Sequence, residues 1–173
     1  MKLTGNLETA INAQVTLEHH SALAYEQLAI DMEAIDLPGI ASWFRAQAAE
    51  ERVHADKFTQ HMLDRDAHPR LEAIEAMAAP ATTVLEAFEA SLAQEQKVSE
   101  AIRDLYRIAQ DEADIDSLPL LHWFISEQVE EESTVSEIIG RVKLIGDDGS
   151  GLLKLDQELG SRPGGEAPSA GTE

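Results

Sequence analysis

Gln47-Ala48-Ala49-Glu50-Glu51-Arg52-Val53-His54-Ala55 is the stretch on which the reading of this sequence turns. Alanine, glutamine, glutamate and arginine are residue types that favour helix. Glu51 and His54 stand at i, i+3, so on a helix they leave from one face. That face is otherwise apolar. Phe44, Glu51 and Phe58 recur at seven-residue spacing, with Ile40, Gln47, His54 and His61 on the neighbouring row. A carboxylate and an imidazole therefore break the middle of a seam that periodicity assigns to a core.

The same interruption recurs on either side. Ile11, Glu18, Tyr25 and Met32 form one row, and Phe88, Glu95, Ile102 and Ala109 another. Further on, Leu121, Gln128, Val135 and Val142 run beside Phe124, Glu131, Ile138 and Ile145. Glycine and proline punctuate these rows into helices. The first is expected from Leu3 to Asp36. The second has Pro38 in its first turn and runs to about Asp66, before His68-Pro69. Thr83-Val84-Leu85-Glu86 reads as a capping box opening a third helix that lasts to about Gln110. An acidic turn, Asp111 to Asp116, leads through Ser117 and Pro119 into a fourth ending near Gly146. A short fifth helix, from about Gly151 to Leu159, carries Leu152, Leu153, Leu155 and Leu159. Residues 1–160 are expected to form one domain, with 161–173 a tail of disordered composition beginning Ser161-Arg162-Pro163-Gly164-Gly165.

Each long helix would span roughly 42–50 Å at 1.5 Å per residue. Short joins make helices one and two, and three and four, antiparallel neighbours. The stretch Ala67 to Ala81 can reach about 50 Å when extended, enough to run the length of a bundle. An all-α four-helix bundle with one long crossover between helices two and three, plus a short fifth helix, is the ferritin-like topology.

Composition narrows the function classes. Among 173 residues, 33 acids face 13 bases, a formal charge of −20. Nucleic acid and anionic membrane surfaces both require basic patches, so neither is an expected partner. There is no cysteine, which excludes disulfides, thiolate metal sites and cysteine nucleophiles. No apolar run approaches the ~18 residues of a membrane span, and no apolar leader follows Met1. A soluble, cytoplasmic chain is expected.

Glu18, Glu51, Glu95 and Glu131 sit near the midpoints of helices of similar length, so they should meet at one level. Four ionised carboxylates in an apolar interior would each cost several kcal/mol or take up protons. Two divalent cations remove the problem, and Glu51 with His54 supplies both oxygen and nitrogen to one of them. Such a ligand set suits iron, manganese or zinc. Helix four offers Gln128-Val129-Glu130-Glu131 where a symmetric site would repeat Glu-x-x-His. One metal position is thereby left to oxygen donors alone, a composition suited to transit rather than retention. Glu50, Glu127 and Glu130 lie one residue off the seam, either holding a third ion or forming a solvated acidic face.

At these residues the chain resembles the bacterial non-haem ferritins, over Leu3 to about Arg162. The likeness rests on Leu17-Glu18 with Leu23-Ala24-Tyr25, on the 47–55 segment, and on Gln94-Glu95. It extends through Trp123-Phe124-Ile125-Ser126-Glu127-Gln128-Val129-Glu130-Glu131-Glu132 and Leu155-Asp156-Gln157-Glu158-Leu159. The resemblance implies that Glu18, Glu51 and His54 bind a first iron. Glu51 would bridge to a second, held by Glu95 and Glu131 with Gln128 close by. Glu50, Glu127, Glu130 and Glu131 would form a third iron site. Tyr25 matches the family's site tyrosine, supplying an electron or a hydrogen bond, and is equally readable as a core aromatic. The family further implies a shell of 24 subunits that oxidises Fe(II) with O2 or peroxide and stores ferric mineral.

Two departures qualify the resemblance. Bacterioferritins carry a methionine just after the bridging glutamate and a histidine on helix four; Arg52 and Glu131 stand there, so no haem is expected. The positions that line three-fold pores in animal ferritins fall on Leu118 and Leu121, which puts that iron entry in doubt. Asp111, Glu112, Asp114 and Asp116 offer cations another attraction, or are an ordinary solvated loop. Two alternatives stay open: a di-iron or di-manganese oxidase or peroxidase that retains its metals, and a metal-free bundle. The first would favour histidine at 131 and a substrate pocket.

Overall fold

The structure is a computed structural model and describes residues 2–77 and 79–161. Five helices follow in order: α1 (Gly5–Glu33), α2 (Pro38–Asp64), α3 (Val84–Asp111), α4 (Leu118–Ile145) and α5 (Gly149–Ser161). Among the described residues there is no strand, and the all-α bundle read from the sequence is the fold observed. The composition-based reading of the tail falls, beyond Ser161, outside the described residues.

Helix ends are set by local chemistry and by distant side chains. Thr83 Oγ1 accepts from Glu86 N (3.2 Å) while Glu86 Oε2 accepts from Thr83 N (3.1 Å), the capping box in full. Three other ends close on residues in the left-handed region: Asp36 (φ 63°), Asp66 (φ 54°) and Ala113 (φ 54°). In each, the following amide reaches back five residues: Leu37 N to Met32 O, Ala67 N to Met62 O, and Asp114 N to Ala109 O. This satisfies carbonyls that would otherwise be orphaned, and it stops α1 at Glu33 and α2 at Asp64, short of Asp36 and Asp66 where punctuation alone placed their ends.

Antiparallel α1 and α2 pack together, as do α3 and α4, and α1 also lies against α3. The crossover of residues 65–83 runs along α1. Asn12 exchanges hydrogen bonds with the Arg70 backbone, Thr16 accepts from Glu72 N, and Asp31 accepts from Ala81 N at 2.8 Å. From Asn12 to Asp31 is about 28 Å of helix. The chain is thus carried from one end of the bundle to the other, and α3 starts parallel to α2.

Helix α5 finds its partner within the chain, at the start of α2. Leu155 and Leu159 enter the core, and Asp156 Oδ1 accepts from Ile40 N (2.8 Å). That carboxylate caps α2, whose own N-cap position, Leu37, has no side chain able to do so. Contact here is close enough to require glycine: a Cβ on Gly39 would lie 2.0 Å from the Asp156 carbonyl oxygen. Arg141 on α4 holds Glu158 of α5 through paired hydrogen bonds.

The core is in two parts. Leu7, Ile11, Phe58, Ile102, Leu121 and Phe124 belong to one cluster. Tyr25, Trp43, Phe44, Phe88, Ile138 and Leu155 belong to the other. Between them, at the level where the four seams were interrupted, lies a buried polar layer.

Candidate metal centre

That layer is assembled by one or two positions from each long helix. Glu18 (0% exposed) comes from α1, Glu51 (1%) with His54 (2%) from α2, Glu95 (0%) from α3, and Gln128 (2%) with Glu131 (7%) from α4. Heptad spacing put each on the core side of its helix, and matched helix lengths put them level. Tyr25, also buried, joins them by donating from its hydroxyl to Glu95 Oε1.

Two groups of ligand-type side chains form among the described residues. Glu18, Glu51 and His54 each present a donor atom within 4.8 Å of the other two. Glu50, His54 and Glu127 do the same. His54 therefore stands between both groups, a sharing that sequence spacing did not reveal. Glu130, expected with the second group, is exposed and belongs to neither.

Hydrogen bonding separates open donors from occupied ones. Glu18 Oε1 accepts from Gln14 Nε2 at 2.8 Å. Glu18 Oε2, Glu51 Oε2 and His54 Nδ1, all buried, have no hydrogen-bond partner, and Nδ1 lies 3.5 Å from Glu51 Oε2. Leaving such atoms unpaired is costly in a native interior, and a cation satisfies all three. Gln128 Oε1 is likewise open. Across the layer the carboxylates are occupied. Glu95 accepts from Tyr25 and from Gln128 Nε2 (3.0 Å), and Glu131 Oε2 accepts from Gln47 Nε2 (3.2 Å). Gln47 also reaches Glu50 at 3.3 Å, linking Glu131 to the second group.

Burial dominates the electrostatics. It pushes Glu18 well above the ordinary carboxylate range, with the charge of Glu51 adding to the effect. Glu51 is raised in the same way, by burial first and then by Glu95. Glu131 is pushed up to about 9, by burial and then by Glu95 and Glu50. Glu95 rises less, because the donors Tyr25 and Gln128 favour its charged form. Glu127 is also raised, mainly by burial. Without cations, then, burial favours the protonated form of these carboxylates. With cations, the layer is a set of oxygen and nitrogen ligands.

Several participants were not singled out by sequence spacing. Gln14 lies one turn before Glu18, so an i, i+4 signal existed for it. Ser91 (3.0 Å from the Tyr25 hydroxyl) and Ser99 (3.4 Å from Gln128 Nε2) reach the layer through tertiary packing alone. Other residues are accounted for structurally. Trp123 lies edge-on to His54 at 5.7 Å between ring centroids, with the Lys57 ammonium 4.4 Å from its ring. His61 Nε2 bonds Ser117 Oγ at 2.9 Å. Glu112 caps α1 by accepting from Asn6 N (2.9 Å), and Asp114 is clamped by Arg65. Those two acids of the turn are thus engaged in structure. Leu121 is fully buried in the core, so it lines no opening.

Comparison with known proteins agrees with the fold. Residues 8–145 match the family model described as a ferritin-like domain. The chain is 38% identical over 160 residues to the bacterial non-heme ferritin of Staphylococcus aureus (strain USA300), covering 92% of this chain and 96% of that protein. The Staphylococcus epidermidis protein of the same name is 36% identical over the same length. Among solved structures, the open pore ferritin of Archaeoglobus fulgidus superposes with a TM-score of 0.91 at 33% identity, covering 94% of this chain and all of that one. By sequence and by structure alike, the chain belongs to the ferritin family.

Proposed function

We propose that this protein oxidises and stores iron. Fe(II) is the substrate, and it binds in the polar layer. Two Fe(II) ions each give one electron to O2, which takes up two protons to leave as hydrogen peroxide, or peroxide itself serves as the oxidant. Fe(III) then moves into a mineral enclosed by a homo-oligomeric shell, by family precedent of 24 subunits. The observation that carries this reading is the trio of unpartnered buried atoms, Glu18 Oε2, Glu51 Oε2 and His54 Nδ1, on residues whose donors converge within 4.8 Å.

Roles follow from the donors. Glu18, Glu51 and His54 hold the first ion. Glu51 bridges toward a second, for which Glu95 and Glu131 give up their present hydrogen bonds and Gln128 offers its free carbonyl oxygen. Tyr25 orients Glu95 through its hydroxyl. Glu50 and Glu127, with His54 between the groups, form the third site, and Glu130 lies beyond its exposed edge. Without histidine at position 131 the second ion is held by oxygen alone, which favours passage over retention. Arg52 donates to Glu26 Oε1 at 2.8 Å on the surface, where a haem ligand would be needed, so the reading includes no haem. No helix among the described residues is long and apolar enough to cross a membrane. The reading places the protein in the cytoplasm, with neither nucleic acid nor membrane as partner.

The test is aerobic addition of Fe(II) in large excess to anaerobically purified protein, followed by size exclusion with iron analysis. A very large soluble particle holding many irons per subunit is expected. Saturation near about two irons per chain on a small oligomer would instead mark an enzyme that keeps its metals. Glu51→Ala should lower the rate of iron oxidation by about a hundredfold or more. If that variant oxidises iron at the original rate, the layer is not the site.

A further inference from the structure

A cavity of about 150 Å³ lies between α1, α3 and the crossover, apart from the ligand atoms of the polar layer. Ala24 and Leu28 of α1, Ala90 of α3 and Met77 of the crossover contribute carbon surface to it. Most of the polar side chains around it are turned to other uses, while His20, which also lines it, has a buried Nδ1 without a hydrogen-bond partner. Gln27 Nε2 donates to Asp31, Asp31 accepts from Ala81 N, and Gln94 Nε2 donates to Ser21. At its inner end stand Tyr25 and Ser91, hydrogen-bonded to each other at 3.0 Å. The same Tyr25 hydroxyl donates to Glu95. One side chain therefore separates this cavity from the carboxylates of the metal centre.

We propose that this cavity admits dioxygen to the centre, an inference that rests on the iron-oxidising function proposed above and names its oxidant. O2 is small and apolar, and a space of about this volume lined mostly by carbon, with a few polar side chains among it, is of the kind that takes up xenon or a single benzene ring. Cations have the opposite requirement. The partly exposed acidic group, Glu50 and Glu127 with Glu130 beyond them, lies against His54 on α2 and α4, whereas the cavity is lined by α1, α3 and the crossover. Iron and oxidant thus approach from different sides, each through surroundings that suit its hydration. Peroxide, which is polar and hydrogen-bonding, gains nothing from the alanine-lined side.

The experiment compares the intact protein with Ala90→Trp and Ala24→Leu. Ala90 is exposed on α3, so a large side chain there covers the mouth of the cavity without entering the core, and thermal melting checks that both variants fold. Xenon binding by NMR under pressure, with Co(II) titration in parallel, provides readouts that need no turnover. The expected result is xenon uptake by the intact protein and its loss in both variants, with Co(II) binding unchanged. In oxidation assays the KM for O2 should rise at least about threefold while kcat at saturating O2 and the rate with hydrogen peroxide stay the same. Intact protein that oxidises iron, with variants whose KM for O2 is unaltered, overturns the route. Intact protein that binds xenon but oxidises no iron with either oxidant overturns the function on which the route depends, and the route with it.

Discussion

At the scale of single residues, the layer is a compromise between folding and binding. Glu131, with its carboxyl pushed up to about 9, takes up a proton at neutral pH when no cation is present, and burial pushes Glu18 and Glu51 in the same direction. Because the folded-state pKa values lie above the unfolded ones, the folded chain binds more protons between pH ~4.5 and ~9. The contribution of these carboxylates to the stability of metal-free protein is therefore full below about pH 4.5 and declines as pH rises toward 9. Zn(II) or Co(II) should remove most of that decline, since the ligands are then neutralised by metal rather than by protons. Melting curves of chelator-treated and metal-loaded protein from pH 5 to 9 check this. Curves that stay parallel across the range would mean that the carboxylates are not the ligands. Metal addition at pH 7 should also acidify an unbuffered solution, because bound protons must leave.

The helices as elements were legible for a simple reason. A seam broken once, at its middle, is still periodic on both sides, and Thr83 with Glu86 caps α3 within three residues of chain. Ends that depend on backbone conformation were less legible. Ala113 adopts φ 54° to close α3, a conformation that costs an L-residue with a Cβ roughly 1–2 kcal/mol. Ala113→Gly is expected to raise stability by about 0.5–1 kcal/mol net of the extra freedom gained by the unfolded chain, as read by denaturant midpoint at constant m. A midpoint that falls would show that the positive φ carries no strain. The capping of α1 by Glu112 and of α2 by Asp156 has no sequence signature at all, because donor and acceptor are 106 and 116 residues apart.

For the whole molecule, the join of α2, the N-terminal segment and the α3–α4 turn rests on Arg65. Its guanidinium bonds both oxygens of Asp114 (2.9 and 2.6 Å) and the Ser117 hydroxyl (3.0 Å), while its carbonyl accepts from Leu3 N. The hydrogen bond from Arg65 lowers Asp114 to about 2. A depressed carboxylate contributes stability that is present above its unfolded pKa of about 3.9 and lost as pH falls toward 2. Allowing for solvent screening, that contribution is on the order of 1 kcal/mol. Asp114→Asn should flatten the acid limb of the stability curve between pH 4 and 2, while leaving iron oxidation intact.

Read alone, the sequence determined the helix count, the antiparallel pairs, the long crossover and the level at which Glu18, Glu51, His54, Glu95 and Glu131 meet. Each of these follows from spacing along one chain, where a period of seven and a break of known length translate directly into a face and a distance. Only the tertiary structure decided that His54 stands within reach of two groups and that Glu130 lies outside both. Tertiary packing alone also brought Ser91 and Ser99 into the layer and closed α5 onto Gly39. Those outcomes depend on which faces of different helices come into contact and which distant side chain reaches an unsatisfied group. Periodicity within a helix assigns a residue to a face, but the neighbour across that face is chosen by the path of the chain in space.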